Sequence, residues 1–510
     1  MKTKTNKNTS KVFRPLIASS LVVALGVSVV TATCPSGSTP SICYGQQTAD
    51  QTFNTGNPLL TWGDINGQAY SPKVGNGSQT FIDNLVFKFT NEDPSKTPTA
   101  EATKGIYQEE EIEKEYQKYI ISMGAGANKD VSNNDLDAPI ASATNTISTL
   151  KFDAGQKTIK LGEFGDGTIT LDFGDFTSNG KRHIEINFDG NTDASQLGAI
   201  PSPFATPMNG NYSLVGNIAI LSGDEATYKI DFTHSMRGDI TIYTNSFRNW
   251  SKYISGTNGE IVFANGANLE GSIRSRVNDG DANTIKGGVK ITFGDSASSS
   301  NQVTGDISLI NGTNTIEFKG NGTIGGSLVA GGSGYVEGSQ ANADGSYHEA
   351  YIYGQNTVTF GGTGSIGNVS SNTGYNHITA TTSLQMANID ASSYAENTFY
   401  APIITLTGTQ VTNDASKNIF KANEAGTGDL KITASDTLLT VWGGMTAINT
   451  IETTGALTLK LKGVKNQGNW YSNNQNIITG GDDSNITIGT GGILVQDGYS
   501  SRQTKNQFTR

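Results

Sequence analysis

Histidine and cysteine are almost missing from this chain, with four and two among 510 residues. The four histidines, His183, His234, His348 and His377, show no spacing that metal ligation uses. The Gly-Gly-x-Gly-x-Asp nonapeptide of calcium-binding repeats is missing too. No metal or cofactor is therefore expected. Proline is scarce at 12 residues, and only 16% of the chain is charged. That charge leans acidic, 46 Asp and Glu against 35 Lys and Arg, which argues against nucleic acid and anionic membrane surfaces as partners. Hydrophobic residues make up 35%, few for a length that would suggest several globular domains. Disorder is the bland alternative, and 18 Tyr, 20 Phe and sustained Ile/Val alternation exclude it for most of the chain.

What is plentiful is glycine, 62 residues, and it recurs in a pattern. Asn314-Thr-Ile-Glu-Phe-Lys-Gly-Asn-Gly-Thr-Ile-Gly325 returns without a gap as Asn356-Thr-Val-Thr-Phe-Gly-Gly-Thr-Gly-Ser-Ile-Gly367. Each copy reads as a short strand with alternate apolar residues, a glycine turn, and a second strand opening at Ile324 or Ile366. Looser copies occur around Ile261, Ile291, Ile378 and Ile451. The anchoring phenylalanines Phe232, Phe263, Phe293, Phe318 and Phe360 recur at a period in the twenties to low thirties, stretched once by the insert from Gly331 to Glu349. A unit that cannot bury its apolar face alone must stack on its neighbours. The fold expected is all-β, a right-handed parallel β-helix (β-solenoid) with an N-terminal β cap and one short helical insertion.

In chain order, residues 1–32 read as a signal peptide. Lys2, Lys4, Lys7, Lys11 and Arg14 precede an apolar run from Leu16 to Val30, and Val30-Thr-Ala32 supplies small residues for cleavage after Ala32. Fifteen apolar residues are short for a membrane span. Removing the five positive charges takes the formal net charge from −11 to about −16. Cys34 and Cys43 then suggest one local disulfide in an exported chain, contributing roughly 2–3 kcal/mol in the chain-entropy model. Residues 33–98 read as a β-rich cap. Residues 99–145 read as a linker carrying one amphipathic helix, Thr103–Met123, with Ile112, Tyr116, Tyr119, Ile120 and Met123 at helical spacing. The β-helix is expected over 146–495, followed by a polar tail over 496–510.

A signal peptide, a cap and a Gly/Asn-rich solenoid together resemble the passenger of a type V autotransporter. The Asn-Thr-Ile-x-Phe repeat with its following Gly-x-Gly and Ile-Gly, and Lys157-Thr-Ile-Lys-Leu-Gly-Glu-Phe164, are similar to passengers of the vacuolating-cytotoxin-like group, over about residues 146–495. The resemblance implies an outer-membrane β-barrel translocator as partner, which this chain does not contain. It also implies display on a Gram-negative surface or release from it. The pore-forming members begin with a long apolar Gly-repeat segment, whereas Thr33-Cys-Pro-Ser-Gly37 is polar.

Catalytic constellations are thin. Gly294-Asp-Ser-Ala-Ser298 is a partial match to a serine-protease signature, but a strand ending in a Ser-rich turn explains it better. Asp172, Asp175 and Asp231 are acidic residues that a solenoid glycosidase or lyase could use in a groove. Arg237, Gly238 and Asp239 form an integrin-type tripeptide at an expected turn, with chance as its competing explanation. No catalytic residue is assigned. The expected function is non-enzymatic contact with host cells, extracellular matrix or neighbouring bacteria. The alternatives are a vacuolating-type toxin and, less favoured, a polysaccharide-active enzyme.

Overall fold

The computed structural model describes residues 59–61, 73–74, 80–81, 84–90, 99–109, 112–123, 146–152, 159–161, 165–175, 182–196, 210–222, 226–244, 259–277, 288–310, 312–331, 354–443, 446–468, 473–496 and 505–509. Among these, regular structure is strand throughout except for a 3-10 turn at Ala194–Gln196. One rung shows how the chain climbs. Val289–Phe293 forms the first side, Ser300–Val303 the second and Ile307–Leu309 the third. The next rung begins at Gly312–Phe318, which pairs in parallel with Val289–Phe293, Ile291 opposite Ile316 and Phe293 opposite Phe318. Repetition of this step gives a 14-stranded parallel sheet that follows chain order from Leu59–Thr61 to Lys505–Thr509. The other sides of the rungs form a second, 23-stranded sheet. The molecule is a parallel β-solenoid, and fourteen strands at the usual inter-strand spacing make the stack about 60 Å long.

The reason lies in the alternation. In Gly354–Phe360 every second residue is buried, and in its neighbour Gly312–Phe318 the same alternation buries Asn314, Ile316 and Phe318. The two copies of the repeat lie directly against each other, Asn314 opposite Asn356, Ile316 opposite Val358 and Phe318 opposite Phe360. Identical residues therefore stack into columns inside the solenoid. Phe188, Phe232, Phe263, Phe293, Phe318 and Phe360 form one, with successive ring centroids 4.9, 4.7, 5.0, 4.5 and 4.9 Å apart and planes within 15°. Those distances equal the strand spacing, so each ring lies over the next. The glycines after each phenylalanine have a steric role. A Cβ on Gly322 would sit 2.3 Å from the Phe318 ring, and one on Gly364 would sit 2.4 Å from that of Phe360.

A second column is polar. The Nδ2 of Asn314 donates to Oδ1 of Asn356, and the pattern continues through Asn376, Asn397, Asn418, Asn449, Asn476 and Asn506 at 2.9–3.1 Å. Each asparagine from Asn356 onwards also donates to a backbone carbonyl, such as Asn356 to Val329 and Asn397 to Asp390. From Asn356 to Asn476 both amide hydrogens and the oxygen are thus used, which removes the penalty of burying the group.

One sequence expectation is corrected. Thr103–Met123 is not a helix: Thr99–Glu109 and Ile112–Met123 pair antiparallel as a hairpin, and the second strand runs parallel to Asn84–Thr90. Its spacing of Ile and Tyr fits a helical face, but those residues also favour strands. An isolated helix owes most of its stability to tertiary packing, whereas the strand Asn84–Thr90 offers a ladder of backbone partners. Within the polar tail, Lys505–Thr509 adds one more strand, which pairs in parallel with Gln475–Thr479. A single apolar residue, Phe508, could not reveal that strand, but Asn506 continues the amide column.

Candidate functional site

Where inward residues form columns, so do outward ones. In the rungs carrying Asn356, Asn376, Asn397 and Asn418 the spacings are only 20 and 21 residues, leaving bare corners between strands. Register places Gln355 beside Tyr375, Tyr375 beside Glu396 and Glu396 beside Lys417 on the outer face. One step along, Thr357, His377 and Thr398 are neighbours. A groove of about 420 Å³ lies over this patch, lined by Gln355, Asn356, Thr357, Tyr375, Asn376, His377, Glu396 and Thr398.

The side chains in and around it hold each other. His377 meets Tyr400 edge to face at 4.8 Å, and its Nε2 lies 3.5 Å from the Glu424 carboxylate. Glu396 accepts from Thr398 Oγ1 at 3.3 Å and has Lys417 Nζ at 3.5 Å. Lys421 pairs with Glu452, and that hydrogen bond raises the ammonium pKa. Partial burial pushes the Tyr400 hydroxyl pKa up, with Lys421 opposing it. Tyr375 keeps 38% of its surface exposed. The patch therefore offers a partly exposed ring, an amide, hydroxyls, an imidazole and a carboxylate. No group of three or more potential metal ligands occurs among the described residues.

The tripeptide Arg237, Gly238 and Asp239 lies elsewhere, at a corner of the second sheet between Ser235–Arg237 and Ile240–Thr244. Arg237 is buried, its Nε 2.9 Å from Glu270 Oε2 in an ion pair without aligned hydrogen-bond geometry. Gly238 has φ +133°, and a Cβ there would meet the Gly216 carbonyl oxygen at 2.2 Å. Asp239 accepts from the Ser272 backbone N–H at 2.8 Å. All three residues thus have jobs in the corner, and the guanidinium is not presented to solvent.

The Gly294–Ser298 segment is a closed turn. Ser299 Oγ accepts from the backbone N–H groups of Asp295 and Ser296, and Gly294 takes φ +78°. Asp231 bonds Lys229 in the first sheet, whereas Asp172 and Asp175 lie on Thr168–Asp175 of the second, so the topology does not bring the three together. Cys34, Cys43, the signal peptide and most of the Gly331–Glu349 insert fall outside the described residues. The sequence reading missed the groove. Its signal was the shortened repeat itself, with Tyr375, His377 and Glu396 at outward positions of successive short rungs.

No family model, curated protein or solved structure matches this chain.

Proposed function

We propose that the chain is an exported, non-catalytic β-solenoid, an autotransporter-type passenger displayed on or released from a Gram-negative cell. Its work is contact with host cells, extracellular matrix or neighbouring bacteria. The observation that carries this reading is the outer face of the short rungs, where register sets Gln355, Tyr375, Glu396 and Lys417 side by side. Such a face suits recognition through many individually weak contacts repeated along a rigid stack. The leader-like first 32 residues and the acidic balance support export and a partner other than nucleic acid.

The test is surface proteolysis of producing cells followed by immunoblotting, combined with binding of the purified chain to cultured epithelial cells and matrix proteins. A protease-accessible or released product that binds cells saturably is the expected outcome. A product confined to the cytoplasm, or one showing no saturable binding, contradicts it. Leakage of dye from liposomes would favour the toxin alternative, and release of reducing ends from a polysaccharide panel the enzyme alternative.

A further inference from the structure

We infer that the groove over Tyr375, His377 and Glu396 is a binding site for neutral oligosaccharide; this rests on the surface-contact reading and names the ligand chemistry. The groove's volume, about 420 Å³, falls within the size range of small-molecule sites. Its lining combines one solvent-exposed ring, Tyr375, with amide, hydroxyl, imidazole and carboxylate groups from Gln355, Thr357, His377 and Glu396. A sugar ring presents a flat C–H face and a rim of hydroxyls that both donate and accept. The first stacks on a tyrosine ring, and the second suits side chains that supply both hydrogen-bond roles.

Other ligand classes fit less well. Lys417 beside the groove already faces Glu396, and the His377 imidazole lies against the Glu424 carboxylate, so the patch presents no excess positive charge to an acidic ligand. An extended peptide that adds a strand needs an open sheet edge. Here each strand of the patch has a partner on both sides, Tyr375–Ala380 lying between Gly354–Phe360 and Glu396–Tyr400. Recognition must therefore come from side chains standing on the sheet.

The purified chain should be applied to a printed panel of neutral, sialylated and sulfated oligosaccharides, then titrated calorimetrically with the best-retained neutral one. Tyr375→Ala and His377→Ala should each weaken binding about tenfold, equivalent to about 1.4 kcal/mol. Glu396→Gln should weaken it less, since the amide still accepts. Gln410→Ala, at an exposed position of a strand in the second sheet, should leave binding unchanged. Unaltered melting temperatures and circular dichroism for the groove variants exclude misfolding as the cause. Retention of sialylated or sulfated glycans alone, no retention at all, or parental affinity in the Tyr375 and His377 variants overturns the inference. Cell binding that survives enzymatic deglycosylation, with an empty glycan panel, overturns the inference and leaves the surface-contact reading standing. Glycan binding at the groove without any cell binding does the reverse.

Discussion

The first half of the solenoid is ordered by stacked rings and the second by linked amides. From Phe188 to Phe360 the column is phenylalanine, but Phe360 pairs with Ala380, and the aromatic role shifts to the adjacent column, where Phe399 stacks on Phe420 at 4.8 Å. Two residues before the central aliphatic column the change is opposite. Tyr228, Gly259 and Val289 occupy that place in the early rungs, and asparagine does so from Asn314 onwards. The early solution is steric: the Tyr228 ring fills the space over Gly259, where a Cβ would lie 2.0 Å away.

The difference teaches how each half fixes its register. Stacked rings reward area and tolerate what happens elsewhere in the rung, so successive rings from Phe188 to Phe360 can lie between 25 and 44 residues apart in the chain. Linked amides are directional, and every member needs both neighbours. Their rungs shorten to 20 and 21 residues between Asn356 and Asn418. They turn the corner back to the first sheet with Thr373, Ser393, Tyr394 and Ala415 at positive φ, where Gly312 and Gly331 serve earlier. The groove sits on these amide-ordered rungs, whose fixed register holds its outward side chains in place.

The contrast can be broken from either side. Phe293→Ala removes a fully buried ring between two others and should destabilise the chain by about 3–5 kcal/mol in urea denaturation. A loss below about 1 kcal/mol would mean the ring column is not a core. Asn397→Leu keeps the heavy-atom branching but strands the Asn376 amide, the Asn418 oxygen and the Asp390 carbonyl, at a cost of about 2–4 kcal/mol. Val289→Asn extends the amide column downward by one rung. Its Nδ2 could reach Asn314, but its oxygen would face Gly259 and the Tyr228 ring, so about 1–3 kcal/mol should be lost. A gain in stability there would show that the boundary between the halves is not set by acceptor supply. Ala415→Gly has the smallest effect. Relief of φ +53° should outweigh the added freedom of the unfolded chain and raise stability by about 0.5 kcal/mol.

Much of this was legible in the residues. Phe232, Phe263, Phe293, Phe318 and Phe360 announced the ring column because identical residues at near-regular spacing in alternating strands have few other uses. The leading asparagine of the repeat was visible too, but its side-chain linkage was not, since Asn is equally the commonest turn residue. Thr103–Met123 misled because Ile and Tyr satisfied two periodicities, and the deciding partner, Asn84–Thr90, is distant in the chain. The Arg237–Asp239 tripeptide looked accessible because its neighbours Glu270, Gly216 and Ser272 come from other rungs. The groove was hidden for the same reason: Tyr375, His377 and Glu396 become one surface only once strands are stacked in register.

The central claim is that buried asparagine side chains are linked into a single directional column, and their carboxamide hydrogens report it directly. Solvent exchange of those hydrogens should be measured by NMR on deuterated, asparagine-labelled protein. The column predicts slow exchange for Asn356, Asn376, Asn397, Asn418 and Asn449, and loss of protection in both neighbours of position 397 when Asn397→Leu is introduced. Exchange at the rate of free amides, or a variant that leaves Asn376 and Asn418 protected, would contradict it.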